Sequence, residues 1–208
     1  RELAALSKKK AGNPPLYIGE VPLERGAENQ HILVTGTTGS GKSNLLNQLL
    51  PQIRARGDMA IVVDLTGTFV SRYFDAETDK ILNPFDERTS VWTPWADIKK
   101  KSGFDLLAKA LVGESSLNDR FWDEGAADII SEALKKLGEG PNPSLKNLTH
   151  LFGVADYEEY AKFFEGTSVH SLTDVKGEKT TQSLRMNAAK AIKPLNLLED
   201  AEAPFSIQ

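Results

Sequence analysis

The chain has no cysteine, which excludes disulfide staples and thiolate metal centres and suits a reducing compartment. Histidine is nearly as scarce. His31, His150 and His170 stand far apart, without the spacing of a motif such as H-E-x-x-H, so no zinc site is expected. No run of eighteen apolar residues occurs, so no stretch of the sequence reads as a membrane-spanning helix, and no signal-peptide pattern is visible. Positive charge is not in excess either: 25 Lys and Arg face 29 Asp and Glu, a formal net charge of −4. The field of the whole segment does not draw in a phosphate backbone, and any grip on nucleic acid must be local or lie elsewhere. Internal repeats and low-complexity tracts are missing too.

What is present is ordinary globular material: 208 residues, 40% hydrophobic and 26% charged, enough for one large domain or two modest ones. The first residue is Arg1 rather than Met, which reads as a piece of a longer protein. Lys8, Lys9 and Lys10 form a basic cluster that is a solvated patch by default. If a membrane helix preceded Arg1, the same cluster would stand where positive-inside lysines belong.

One stretch carries most of the chemical meaning. Gly36, Thr37, Thr38, Gly39, Ser40, Gly41, Lys42 and Ser43 spell GTTGSGKS, which fits G-x-x-x-x-G-K-[ST], the phosphate-binding P-loop. Gly36, Gly39 and Gly41 are expected to take φ > 0 turns that point successive amides inward at phosphate oxygens. Lys42, the candidate catalytic residue, is a mobile charge suited to β- and γ-phosphates, and the Ser43 hydroxyl is a hard ligand suited to Mg²⁺. At average composition the fixed positions would coincide in about one chain of this length in a hundred. Context strengthens the match: His31 to Thr35 is a short apolar run with strand character, and Ser43 to Leu50 has apolar positions at helical spacing. A strand leading into a helix N-terminus is the setting this loop needs.

Along the rest of the chain, residues 11 to 30 read as an edge hairpin rich in Gly and Pro. The helix after the loop is predicted to run to about Arg56 and stop at Gly57, with Pro51 kinking or shortening it. Met59 to Val63 predicts a strand buried on both faces of a parallel sheet, ending in Asp64. Thr66 or Thr68 is expected to cap a short helix through Tyr73. Lys80-Ile81-Leu82 predicts a third strand closed by Asn83-Pro84. Up to Asp97 the alternation is α/β. Past Gly103 strand signals vanish. Helices are predicted over Phe104 to Val112, over Asp119 to Leu137 with Gly138 as terminator, from Ser144 to Phe152 and from Asp156 to Phe164. The longest is expected over Gly177 to Leu198, bent at Pro194. Its stripe of Leu184, Ala188, Ile192, Leu195 and Leu198 reads as bundle core.

NTP hydrolysis also needs a carboxylate toward Mg²⁺ and a group that positions water. Asp64, at the C-terminal end of its apolar segment, is the placed candidate for the metal, with a capping or turn aspartate as the equal alternative. Asp64-Leu65-Thr66-Gly67 also fits the D-x-x-G of a GTPase switch, but the guanine-selecting N-K-x-D is missing, since Asn83-Pro84-Phe85-Asp86 has proline in place of the lysine. No later apolar strand ends in Asp-Glu. A catalytic Glu is therefore expected beyond Gln208.

The strings now in view resemble the TraG/TraD-like coupling proteins of type IV secretion and bacterial conjugation. The likeness rests on IGEVPL (18 to 23), ENQHILVTGTTGSGKS (28 to 43), RGDMAIVVDLTGTF (56 to 69), DKILNPFDERT with WTPW (79 to 95), FWDEGAADI (121 to 129), GEKTTQSLR (177 to 185) and APFSI (203 to 207). It implies an α/β fold: a P-loop, RecA-like parallel-sheet motor domain, incomplete here, with an inserted all-α domain. The corresponding boundaries are a basic segment over 1–15, the first part of the nucleotide-binding domain over 16–98, the all-α insertion over 99–198 and a return to the motor over 199–208. It further implies ATP and Mg²⁺ as cofactors, a homo-hexamer, and a place at the cytoplasmic face of the inner membrane, held there by N-terminal helices. Its implied partners are type IV secretion inner-membrane components and substrate adaptors or a relaxosome, with single-stranded DNA or protein effectors as cargo. Two other readings stay open: a P-loop GTPase switch, and a nucleotide-binding scaffold that recruits secretion substrates without hydrolysis.

Overall fold

The computed structural model describes residues 14–24, 26–27, 30–113, 120–141, 143–174 and 178–207. The Lys8 to Lys10 cluster and the expected helix starts at Asp119 and Gly177 lie outside the described residues. Among the described residues the chain is mostly helical with one small sheet. It divides into two compact units, one up to Asp79 and one from Lys80 onward.

The first unit opens with the expected hairpin, β1 (Tyr17–Ile18) antiparallel to β2 (Val21–Pro22), with Ile18 opposite Val21. Helix α1 (Lys42–Arg56) follows the glycine-rich loop and ends at Gly57 in the left-handed region at φ 73°, the stop that glycine favours because it lacks a Cβ. Of the two expectations at Pro51, a kink or a shortened helix, the shortening does not occur: α1 runs for its full 15 residues to Arg56. Gln48 and Gln52, one turn apart and so on one face, fasten α1 to the hairpin. Gln52 Oε1 accepts from the Tyr17 amide at 2.8 Å, Gln52 Nε2 donates to the Tyr17 carbonyl at 2.9 Å, and Gln48 Oε1 accepts from the Gly19 amide at 2.8 Å. Helix α2 (Thr68–Tyr73) closes the unit.

Two strand expectations are corrected here. Neither His31 to Thr35 nor Met59 to Val63 is part of a ladder, and both are exposed, Leu33 at 87% and Val63 at 82%. A parallel strand exists only through hydrogen bonds to neighbours and through cover on both faces. Among the described residues no strand pairs with either segment. Their apolar sequence supplies the propensity for a sheet without the partners that would realise it.

In the second unit the expected third strand is reduced to a single parallel bridge between Ile81 and Thr89, across which the Ser90 amide donates to the Ile81 carbonyl at 2.7 Å. Helices then take over: α3 (Pro94–Asp97), α4 (Lys101–Val112), α5 (Arg120–Glu139), α6 (Leu145–Gly153), α7 (Tyr157–Phe163), α8 (His170–Thr173) and α9 (Glu178–Ala191), with a 3₁₀ turn over Lys193–Leu197. The core lies where α4, α5, α6 and α9 meet. Ile129, Ile130, Leu134 and Leu184 are fully buried and Leu148 nearly so, each stabilising by about 1.5–3 kcal/mol relative to exposure. The stripe predicted for the last helix is buried through Leu195. The helix itself is shorter than expected. Pro194 has no amide for the Lys190 carbonyl and crowds the preceding turn, so α9 ends at Ala191 and α5 is longer.

Helix starts follow the sequence closely. Ser144 accepts from the Asn147 amide and Asp156 from the Glu159 amide, the N-cap bonds their side chains favour. Gly138, expected as a terminator, lies inside α5, where a Cβ would come within 2.8 Å of Trp95 Cδ1. This glycine lets Trp95 approach the helix closely enough to donate from Nε1 to the Leu134 carbonyl at 2.9 Å. Phe121, near the start of α5, is 56% exposed. The terminal segment folds back within this unit: the Phe205 amide donates to the Val91 carbonyl at 2.7 Å, and Asp97 Oδ1 accepts from Ser206 Oγ and the Ile207 amide.

Candidate functional site

The glycine-rich loop is exposed from Gly36 to Gly41 and leads directly into α1, with Gly41 as N-cap at φ 92°. Gly39 also has positive φ, at 82°. Gly36 does not, so the expectation of a left-handed turn there is corrected. Its glycine is required for space instead: a Cβ at residue 36 would overlap the Ser40 hydroxyl and lie 3.2 Å from Ser40 Cβ. The loop closes tightly because residue 36 has no side chain.

Lys42 completes the ring. Its Nζ donates to the carbonyls of Gly36 and Thr37, each at 2.7 Å, and the Ser40 amide donates to the Thr37 carbonyl at 3.2 Å. An ammonium has three protons. Two hold the loop in shape, which leaves one for an anion in the cradle. The helix end adds to this. Gly41 offers no side-chain cap and the first turn of α1 carries no acidic residue, while Arg54 and Arg56 sit in the last turn. The unsatisfied first-turn amides and the positive end of the dipole are left for an outside acceptor. Ser43, the second residue of α1, is exposed at this end. The residues present therefore fit a polyphosphate.

Asp64 is placed differently. Its Oδ2 accepts from the amides of Phe69 at 2.8 Å and Val70 at 3.0 Å, and its Oδ1 from the amide and hydroxyl of Thr66, both at 3.3 Å. The Val70 amide foremost, with those of Phe69 and Thr66 and against the cost of burial, holds the carboxyl below its ordinary value. Asp64, not Thr66 or Thr68, caps α2: Thr66 and Thr68 instead share a hydroxyl bond at 2.8 Å, and Gly67 at the N-cap gives no side-chain bond. No hydrogen bond joins Ser43 to Asp64 among the described residues. No group of three metal-ligating side chains occurs among them either. Mg²⁺ tolerates such a sparse protein shell, because it keeps waters and takes substrate phosphates as ligands. Ser43 and the more loosely held Oδ1 of Asp64 are the oxygens that could serve it.

Three residues of this unit escaped the sequence reading. Gln48 and Gln52 were readable as a same-face pair four apart. Tyr73 was implied only indirectly: Pro51 deletes the amide that would serve the Asn47 carbonyl, so some other donor was required. That donor is Tyr73 Oη, 3.1 Å from Asn47 O.

The coupling protein TraD of Escherichia coli strain K12 is 32% identical to this chain over 211 residues, which take in 100% of the chain and 29% of TraD. Solved structures of the plasmid coupling protein TrwB, in complex with the non-hydrolysable ATP analogue ADPNP and with ADP and Mg²⁺, superpose with TM-scores of 0.80 and 0.79 at 30% identity. In both cases 99% of this chain and 49% of TrwB are covered. The chain thus spans about half or less of the length of these relatives. No helix among the described residues is long and apolar enough to cross a membrane. The family described as the type IV secretion-system coupling protein DNA-binding domain matches residues 15–208, and this chain belongs to it.

Proposed function

We propose that this chain is the P-loop part of an ATP-driven coupling motor that delivers cargo to a type IV secretion or conjugation channel. The observation that carries the reading is the preformed cradle: Lys42 bonded across the loop to Gly36 and Thr37, at the N-terminus of a helix whose first turn carries no acidic residue. The amides of Gly36, Thr37, Thr38, Gly39, Ser40 and Gly41 would hold the β- and γ-phosphates, Lys42 would act as the catalytic cation, and Ser43 with Asp64 would hold the metal. Mg²⁺, when bound, neutralises charge on the transferring phosphoryl group. TrwB complexes with an ATP analogue and with ADP and Mg²⁺ support this assignment.

In this reading the complete protein is a RecA-like motor with residues 99–198 as its inserted all-α domain, and it works as a homo-hexamer at the cytoplasmic face of the inner membrane. Its cargo is relaxase-bound single-stranded DNA or protein effectors, recruited with a relaxosome or adaptors. The test compares the full-length protein with purified residues 1–208. The full-length protein hydrolyses ATP with Mg²⁺, whereas the segment binds nucleotide and turns over little, because this reading assigns the water-positioning glutamate to the remainder of the protein. Robust hydrolysis by the segment would overturn the assignment of the water-positioning group to the remainder of the protein.

A further inference from the structure

Within α1, Pro51 cannot serve the Asn47 carbonyl one turn earlier. Tyr73 Oη meets that carbonyl at 3.1 Å and lies 3.2 Å from Asn47 Oδ1. Its one proton is shared between two acceptors on the same residue. The backbone of Tyr73 is held as well, since its carbonyl accepts from Arg54 Nη2 at 2.8 Å. Arg54 in turn pairs with Asp79 at 2.5 Å. One residue at the end of α2 is therefore gripped from two points on α1, Asn47 and Arg54, which stand about two turns apart. The opposite end of α2 is fixed by Asp64, which accepts from the Phe69 and Val70 amides. The six-residue helix α2 is thus a short strut between the segment that carries Asp64 and the turn of α1 that follows Lys42 and Ser43.

We infer that Tyr73 is a positioning residue for the nucleotide site: its hydroxyl occupies the acceptor that Pro51 frees and thereby fixes the P-loop helix relative to Asp64. A proline inside a helix ordinarily leaves a carbonyl to water. Here the deletion has become a socket. The inference rests on the nucleotide reading above and adds a residue that touches neither phosphate nor metal.

A merely local role, in which the hydroxyl only satisfies an orphaned carbonyl, is separable from positioning because Pro51→Ala returns the missing amide to α1. In the full-length protein, binding of fluorescent ADP with Mg²⁺ is titrated for wild type, Lys42→Ala, Tyr73→Phe, Pro51→Ala and the Pro51→Ala/Tyr73→Phe double variant, with thermal unfolding followed in parallel. Tyr73→Phe is expected to weaken binding about fivefold. The double variant is expected to keep that loss while its unfolding midpoint recovers to that of Pro51→Ala. Wild-type affinity in Tyr73→Phe, alongside lost binding in Lys42→Ala, overturns the positioning role alone. Return of the double variant to the affinity of Pro51→Ala does the same, because the hydroxyl is then only a cap. Undiminished binding in Lys42→Ala overturns the nucleotide reading, and the positioning role with it.

Discussion

Replacing Lys42 with alanine removes three things together: the bond to the Gly36 carbonyl, the bond to the Thr37 carbonyl, both 2.7 Å, and the remaining ammonium proton with its full charge. The first two keep the loop closed before any ligand arrives, so their loss makes the nucleotide meet the cost of ordering the cradle. The third is a direct charge-assisted bond to phosphate, and such bonds contribute about 1.5–3 kcal/mol each. Counting one phosphate bond plus a modest ordering cost, the expected loss is about 2–4 kcal/mol, or roughly thirtyfold to a thousandfold in Kd. The fold should hardly notice, because the side chain lies in an otherwise exposed loop and surface changes of this kind stay within about 0.5 kcal/mol. Isothermal titration of the full-length protein with a non-hydrolysable ATP analogue and Mg²⁺, beside thermal unfolding of the same preparation, separates the two effects. Unchanged affinity, or a loss of affinity that merely tracks a fall in unfolding midpoint, would refute the reasoning.

Three further outcomes are open to direct measurement. Asp64→Asn keeps a cap acceptor for α2 but removes the charge, and should raise the Mg²⁺ concentration needed for half-maximal nucleotide binding while leaving metal-free binding nearly unchanged; equal Mg²⁺ dependence would assign Asp64 to capping alone. Asp200 accepts from the Leu145 and Lys146 amides at 2.7 and 3.1 Å and from Ser144 Oγ at 2.8 Å, joining Ser144 in closing the N-terminus of α6, so Asp200→Ala should cost about 1–2 kcal/mol in denaturant unfolding. Burial raises the Asp200 carboxyl, but these bonds outweigh it and set its value below the ordinary 3.8; its stabilisation is complete above that value and fades as pH falls through the lower folded value, so the variant and wild type should converge in strong acid. Tyr160 is fully buried, its Oη has no hydrogen-bond partner among the described residues, and burial pushes its phenol up. Tyr160→Phe keeps the edge contacts to Phe152 and Phe164 and the ring beneath Arg185, and urea unfolding should show it about 1 kcal/mol more stable, with a loss of stability counting against the unsatisfied hydroxyl.

Local chemistry was the legible part. The reach of α1 from the loop to Gly57, the caps at Ser144 and Asp156, and the buried stripe through Leu184, Ala188 and Ile192 depend on near neighbours in sequence, and the pattern of residues shows them. What depends on distant partners was hidden. Met59 to Val63 has the composition of a central strand, yet a ladder is a property of two segments and composition belongs to one. Asp64 was undecided between metal and cap, because its choice turns on whether the amides of Phe69 and Val70 come round to it. Gly36 and Gly138 were assigned conformational roles when their value is spatial, since glycine in a sequence does not say whether a dihedral or a neighbour demands it. The mid-helix proline was read as damage, although its counterpart lay 22 residues further on, in Tyr73.

The two glutamines of α1 do more than fasten a hairpin. A primary amide presents one donor and one acceptor side by side, the same face a peptide group offers, and Gln52 turns that face to both polar groups of Tyr17. The outer rim of β1 is therefore already occupied at Tyr17, and Gln48 takes the amide of Gly19 just past the strand's end. An extended chain arriving from another molecule finds the Tyr17 amide and carbonyl and the Gly19 amide already bonded. A helix side chain thus supplies the protection against sticky strand addition that sheets otherwise obtain from bulges, prolines or charge.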